Sequence, residues 1–370
     1  MPWIHFHISN GGTAKACCVA NIPYGNINKE SLEEIWNGDA INQIRKKFLK
    51  GESDKRCATC HKLEATGAKS IRQETFEKFE HIVVTKNEID WPVYFDIRFS
   101  NVCNFRCRTC WHGASSKWFA DAKVLGTNIG QQAILKNINE VDAFIAKSSA
   151  ALLKAEEFYF AGGEPLVTKE HYILLEWLIK NKATGARLRY NTNFSKLGFQ
   201  QYDALKMWAH FPAVELLASI DASESLGEYI RKEMKWQEIV DNRERIRALP
   251  HVQFKIAPTV SVLNVLHLPD LYEQCLESNM IEPEGIYINI LERPDHYNIQ
   301  ILPADKKLEV QVRYQRFFRW LHANSISEKV KLLFEEILNY MMALDRSDLW
   351  AKFLVANGRL DALRGEEYRM

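Results

Sequence analysis

Between residues 91 and 302, short stretches rich in β-branched and aromatic residues alternate with stretches of helical spacing, and few folds accommodate that order. Six segments read as strands: YFDIRFS, EEFYFAG, RLRYNTN, ELLASID, QFKIAPTVSV and GIYINIL. Most lack strict polar–apolar alternation, which predicts strands buried on both faces. KEHYILLEWLIKN, FQQYDALKMWAHF and LPDLYEQCLESN carry apolar residues at three- and four-residue intervals, with Thr168 placed to cap the first. Such alternation predicts an α/β fold, a parallel sheet with covering helices, and functional residues at the carboxyl ends of the strands.

The flanks differ. Residues 1–90 hold four cysteines among short apolar pieces broken by Gly, Asn and Lys, and the charged EKFEHIVVTKNEIDWP before Val93 is the nearest thing to a hinge. Residues 303–370 turn helical, in EVQVRYQRFFRWLHAN and SEKVKLLFEEILNYMMAL. A three-part division follows: 1–90, 91–302 and 303–370. The chain has 370 residues, 46% hydrophobic and 26% charged, enough for a large core. Its formal net charge of +1 gives no global case for binding nucleic acid or an anionic membrane. No run reaches the length of a membrane span, and MPWIHFHISN lacks the layout of a signal peptide, so a cytoplasmic location is expected. Disulfides are rare there, so eight cysteines, seven of them before residue 111, point to metal.

Cys103, Cys107 and Cys110 stand as C-x3-C-x2-C directly after the first strand segment. Three thiolates in one loop can hold three irons of a cubane and leave the fourth open. A structural zinc site, by contrast, draws its ligands from two separated pairs. The second strand segment ends in Gly162-Gly163-Glu164-Pro165, where two glycines permit close approach to the backbone and Glu164 can accept from an ammonium group. A tight strand-to-helix turn is the plain alternative.

The cysteine loop and the GGEP segment resemble the radical S-adenosylmethionine (radical SAM) superfamily. That resemblance implies an open, partial (β/α)6 barrel and a [4Fe–4S] cluster whose free iron takes the amino and carboxylate groups of SAM. Gly162, Gly163 and Glu164 would meet the methionine amino group. ELLASIDASESLGEYIRK resembles the fourth-strand segment of SPASM-type members, which would set Ser219 near the ribose or methionine and pair Arg231 with the carboxylate. Asn193 matches a strand-three position that faces SAM or substrate. Asp221 would bind substrate or cap the next helix. Two residues depart from the pattern. Ala222 replaces a common glycine, and Thr109 replaces the aromatic residue that flanks adenine, for which Phe105 or Trp111 would substitute.

The first 90 residues suggest a second metal site. HFHISNGGTAKACCVA reads as a hairpin turning at Asn10-Gly11-Gly12, followed by Gly25-Asn26, a helical run KESLEEIWNGDAINQIRKKFLKG, and Cys57-x2-Cys60. This order resembles the SPASM/twitch auxiliary-cluster module, and Gly12 precedes Cys17 at the module's spacing. A second [4Fe–4S] cluster would draw on Cys17, Cys18, Cys57 and Cys60. Adjacent residues on a strand face opposite ways, so Cys17 and Cys18 both ligate only at a strand end or bulge. Cys17 fits the spacing, and Cys18 is either the fourth ligand or buried beside an open iron. Thr66 stands where a further cluster would need cysteine. Zinc is the competing metal for the CxxC pair, and His5, His7 and His61 are alternative ligands, although hairpin histidines are usually half-buried polar residues. Cys275 falls within an amphipathic helix and reads as core.

The resemblance implies reductive cleavage of SAM to a 5′-deoxyadenosyl radical, which abstracts hydrogen from a peptide, protein or small-molecule substrate. A reductase or a flavodoxin- or ferredoxin-type protein would donate the electron, and an auxiliary cluster favours net oxidation. The reading from another class is a non-catalytic iron–sulfur or zinc-binding partner module on the same scaffold.

Overall fold

The computed structural model describes residues 1–65, 69–82 and 91–367, apart from the side chain of residue 63. Thr66 and residues 83–90 of the charged segment lie outside the described residues. The chain forms two compact units. The first comprises 1–102, 134–191 and 198–214, and the second 103–133, 192–197 and 215–370. These units cut across the linear division at residues 90 and 302.

In the first unit the sheet is built from β1 (His5–Ile8), β2 (Thr13–Lys15), β3 (Pro23–Asn26), β4 (Tyr94–Ile97), β5 (Glu157–Phe160) and β6 (Arg187–Thr192), in the order β6-β5-β4-β1-β2-β3. The hairpin β1–β2 is antiparallel and turns at Asn10–Gly12, as the sequence predicts. The pairs β1–β4, β4–β5 and β5–β6 are parallel. The amino-terminal hairpin thus continues the same sheet as the first predicted barrel strand.

Register explains how a sheet buried on both faces still carries charge. Phe6, Phe95, Phe158 and Leu188 are cross-strand neighbours on one face, all fully buried. His7, Asp96, Tyr159 and Arg189 form the adjacent row, pointing the other way because side chains alternate along a strand. The alternation that the sequence reading judged weak is therefore present, as aromatic against polar. It is masked because the polar face also carries Tyr94 and Tyr159.

The first unit also holds the small hairpin of β7 (Gly198–Phe199) and β8 (Tyr202–Asp203). The helical run after Gly25-Asn26 is two helices, Leu32–Asn37 and Asp39–Leu49, divided at Gly38. Ser31 and Glu34 close a capping box on the first.

In the second unit β9 (Val214–Ala218) neighbours β10 (Val252–Ile256), and β11 (Thr259–Val260) pairs in parallel with β12 (Asn289–Ile290). All six strand segments expected from the sequence are thus strands. The predicted helical tail is present as Ala304–Ala323 and Glu328–Ala343, packed through Phe317 and Phe334 at 4.5 Å between ring centres. A further helix, Trp350–Arg364, lies within the same stretch expected to be helical. Among the described residues no helix is long and apolar enough to cross a membrane.

Candidate metal centres

The triad loop belongs to the second unit. Its backbone is held by side chains that wrap it. Ser115 Oγ donates to Phe105 O at 2.5 Å, Trp118 Nε1 to Cys107 O at 2.6 Å, and the Cys103 amide to Ser116 Oγ at 3.3 Å. Asn193 Nδ2 donates to Asn104 Oδ1 at 2.8 Å, and Asn104 Nδ2 donates to Ser195 Oγ at 2.8 Å. Asn193 therefore secures the loop between the first two cysteines. Ser219 follows β9 and is tied to Thr192 O by its amide at 2.7 Å.

Arg231 faces the triad. Its Nη2 donates to Asp221 Oδ1 at 2.8 Å, and its Nη1 lies 3.7 Å from Cys107 Sγ. Asp221 also accepts from the Thr259 amide, so it serves Arg231 and β11 and does not cap the next helix, whose N-cap is Ser223. Arg231 Nε and Asp221 Oδ2 are buried with no hydrogen-bond partner among the described residues. Burial pushes the Cys110 thiol up to about 12 and raises that of Cys107, which Arg231 partly offsets. Unligated, these sulfurs stay protonated at neutral pH. Metal would displace the protons.

Three observations fit an iron–sulfur group here: an all-thiol donor set, the Phe105 amide donating to Cys103 Sγ at 3.4 Å, and orphaned polar atoms beside Cys107. Phe105 is fully buried, whereas Trp111 is half exposed and leaves its indole available for stacking.

The sequence reading missed Arg108, between the second and third cysteines. Its guanidinium donates to Tyr229 O at 3.1 Å, Asn357 Oδ1 at 3.1 Å, Asp361 Oδ1 at 2.5 Å and Glu366 Oε2 at 2.6 Å. Arg106 Nη1 donates to Asp121, whose other oxygen accepts from Arg364. The helix Trp350–Arg364 thus clasps the triad loop. Two arginines inside a ligand loop were the available signal, but the carboxylates that hold Arg108 lie over 250 residues away.

In the first unit the GGEP turn shows why both glycines are required. Gly162 and Gly163 have φ of +79° and +47°. A Cβ on Gly163 would lie 2.1 Å from Val102 O, and one on Gly162 would lie 2.9 Å from Arg98 Cβ. Glu164 is buried, and its Oε1 accepts from the Leu166 amide at 2.9 Å, capping the short turn Pro165–Val167. Thr168 occupies the N-cap position of Lys169–Lys180 but does not cap. Its hydroxyl donates back to Glu164 O at 2.8 Å.

The second thiol set also lies in the first unit. Cys17, Cys57, Cys60 and His61 line one cavity of about 390 Å³, walled by apolar side chains that include Trp3 and Phe48. Cys57 ends a short turn that Asp54 caps through the Arg56 amide, and Cys60 and His61 follow on the helix Ala58–Ala65. Cys17 Sγ accepts from the Ala20 amide at 3.2 Å, the contact that a ligating thiolate commonly receives. Burial pushes Cys57 up to about 11. Cys18 is exposed, does not line this cavity, and has Asp96 and Arg98 as its charged neighbours. Both cysteines lie beyond the end of β2, where strand alternation no longer governs facing: the neighbours Ala16 and Cys17 both line the cavity, and so do Val19 and Ala20. The donor chemistry fits iron–sulfur or zinc. Among the described residues no three His, Cys, Asp or Glu groups stand close enough to hold an ion, so ligation at either site would draw the thiols together.

His5 and His7 are fully buried, not half-buried as expected, because both lie on β1 inside the sheet. His7 Nδ1 faces Asp96 Oδ2 at 2.8 Å. Cys275 is core, with its thiol against Met280 Sδ.

Residues 1–61 match the SPASM iron–sulfur cluster-binding domain. No curated protein matches the chain. Two solved structures of SuiB from Streptococcus suis are similar at 12% identity. One, bound to the precursor peptide SuiA, aligns over 78% of this chain and 60% of its own, with a TM-score of 0.41. The other, bound to S-adenosylmethionine, aligns over 78% and 59%, with a TM-score of 0.39. This chain spans less than two thirds of the length of those proteins.

Proposed function

We propose that this chain is a radical SAM enzyme with a SAM-binding [4Fe–4S] cluster on Cys103, Cys107 and Cys110 and one auxiliary iron–sulfur cluster in residues 1–61. The observation that carries the reading is the three-thiol loop after β4, whose backbone is wrapped by Ser115, Ser116, Trp118 and Arg108 and whose donor set is all thiol. The match of residues 1–61 to an iron–sulfur domain supports the auxiliary site independently.

When bound, the cluster supplies the electron that cleaves the 5′ carbon–sulfur bond of SAM. The chain's own residues bind and orient. Arg231 holds positive charge against Cys107 and is the candidate partner of the SAM carboxylate. Gly162 and Gly163 let the GGEP turn pack closely on Arg98 and Val102, and Glu164 is the candidate acceptor for the SAM amino group. Asn193 fixes the loop through Asn104. The 5′-deoxyadenosyl group released from SAM would abstract hydrogen from a peptide, protein or small-molecule substrate, with electrons from an external reductase or flavodoxin- or ferredoxin-type donor in a reducing cytoplasm.

Anaerobic reconstitution with iron, sulfide, SAM and a strong reductant tests the reading. 5′-Deoxyadenosine is expected from the wild type and none from the Cys103→Ala, Cys107→Ala, Cys110→Ala variant. Undiminished cleavage in that variant would end the proposal.

A further inference from the structure

The auxiliary cavity contains a fourth donor that is not a cysteine. We infer that His61 Nε2 completes the ligand set of Cys17, Cys57 and Cys60, giving the auxiliary cluster three thiolates and one imidazole. This rests on the auxiliary-cluster reading above and deepens it.

Position along the chain is the first argument. Cys57, Cys60 and His61 stand at i, i+3 and i+4 along a turn that runs directly into the helix Ala58–Ala65, and that spacing sets three side chains on one face. Cys17 reaches the same cavity from beyond β2, so four donors line a single space. Cys18, the alternative fourth ligand, is exposed and does not line that space.

The ring of His61 is the second argument. Its Nε2 is buried and makes no hydrogen bond among the described residues. A buried ring nitrogen without a partner carries a desolvation cost that a metal would relieve. The opposite nitrogen, Nδ1, faces Glu64 Oε2 at 3.8 Å. Glu64 is itself held by Ser70 Oγ at 2.5 Å and by Arg72 Nε at 3.1 Å. A ligating histidine commonly turns its other nitrogen toward a fixed carboxylate, which sets the ring's orientation and tautomer. Glu64, Ser70 and Arg72 supply that arrangement here.

Imidazole in place of thiolate raises the potential of an iron–sulfur centre. A cluster with this ligand set would accept an electron more readily than an all-thiolate one.

The test uses the full chain carrying Cys103→Ala, Cys107→Ala and Cys110→Ala, so that the auxiliary cluster is the one observed. Pulsed EPR of the reduced, reconstituted protein is expected to show a nitrogen coupling that changes when histidine alone is labelled with ¹⁵N. His61→Ala should abolish it. His61→Cys should retain four irons, lose the coupling and move the potential to a more negative value, whereas Cys18→Ala should leave both coupling and potential as they were. Four irons with no histidine coupling, or a coupling that survives His61→Ala, overturns the ligand assignment alone. Bound zinc and no iron overturns the auxiliary-cluster reading and the assignment with it.

Discussion

Arg231 Nη1 lies 3.7 Å from Cys107 Sγ. The same guanidinium grips the buried Asp221 carboxylate, so one cation serves both the triad and the strand that follows β10. Arg231→Ala should weaken SAM binding about tenfold or more, the scale of one charge-assisted hydrogen bond. Binding should be compared at matched iron content, because the buried Asp221 is left unpaired and stability falls by about 3–5 kcal/mol. Equal SAM affinity at matched iron would assign Arg231 to Asp221 alone.

Arg108→Ala should loosen the triad loop from the C-terminal helix. The change leaves Asp361 and Glu366, both drawn to one guanidinium, without their shared cation. Glu366 keeps Lys232, and Asp361 keeps Tyr229 and Asn357, so the cost is expected at or below about 3 kcal/mol, the lower end for breaking a buried pair. Thermal unfolding and the rate of iron loss to a chelator measure it, and iron held by residues 1–61 should be unaffected.

Within the adjacent pair, Cys17→Ala should remove the auxiliary iron, whereas Cys18→Ala should leave it in place, since Cys17 alone of the two lines the cavity. Iron and zinc analysis after anaerobic purification decides it. Equal loss in both variants would place Cys18 among the ligands.

His5 predicts an acid limb in stability. Burial lowers its pKa to about 3, and neither ring nitrogen has a hydrogen-bond partner among the described residues. The unfolded chain takes up a proton near the ordinary value of about 6.5 while the folded chain does not. Stability is therefore complete above that value and is lost as pH falls toward 3, at up to about 1.4 kcal/mol per pH unit. His5 stacks on Tyr94 at 4.2 Å, a contact that phenylalanine can keep. His5→Phe should be close to neutral at pH 7 and stabilising at pH 5, measured by chemical denaturation.

Gly163→Ala should impair folding or sharply lower the melting temperature, because Val102 O is backbone and cannot yield to a Cβ 2.1 Å away. Gly185→Ala, where a Cβ meets open space, is the control and should change little.

The local sequence of this chain determined its elements and its chemistry. Six strand segments, the hairpin turn at Asn10–Gly12 and the spacing of Cys103, Cys107 and Cys110 are legible because each depends on residues within a few positions of one another. Tertiary structure decided what those residues face. Strand periodicity would send Cys17 and Cys18 to opposite sides, but β2 ends at Lys15, and only the fold shows that the loop beyond it turns Cys17, and not Cys18, toward Cys57, Cys60 and His61. Arg231 was legible as a cation, and its grip on Asp221 was not. Arg108 was not legible, since an arginine's role depends on where its partners lie. Here they are supplied by residues 357–366, brought together by the folding of the second unit.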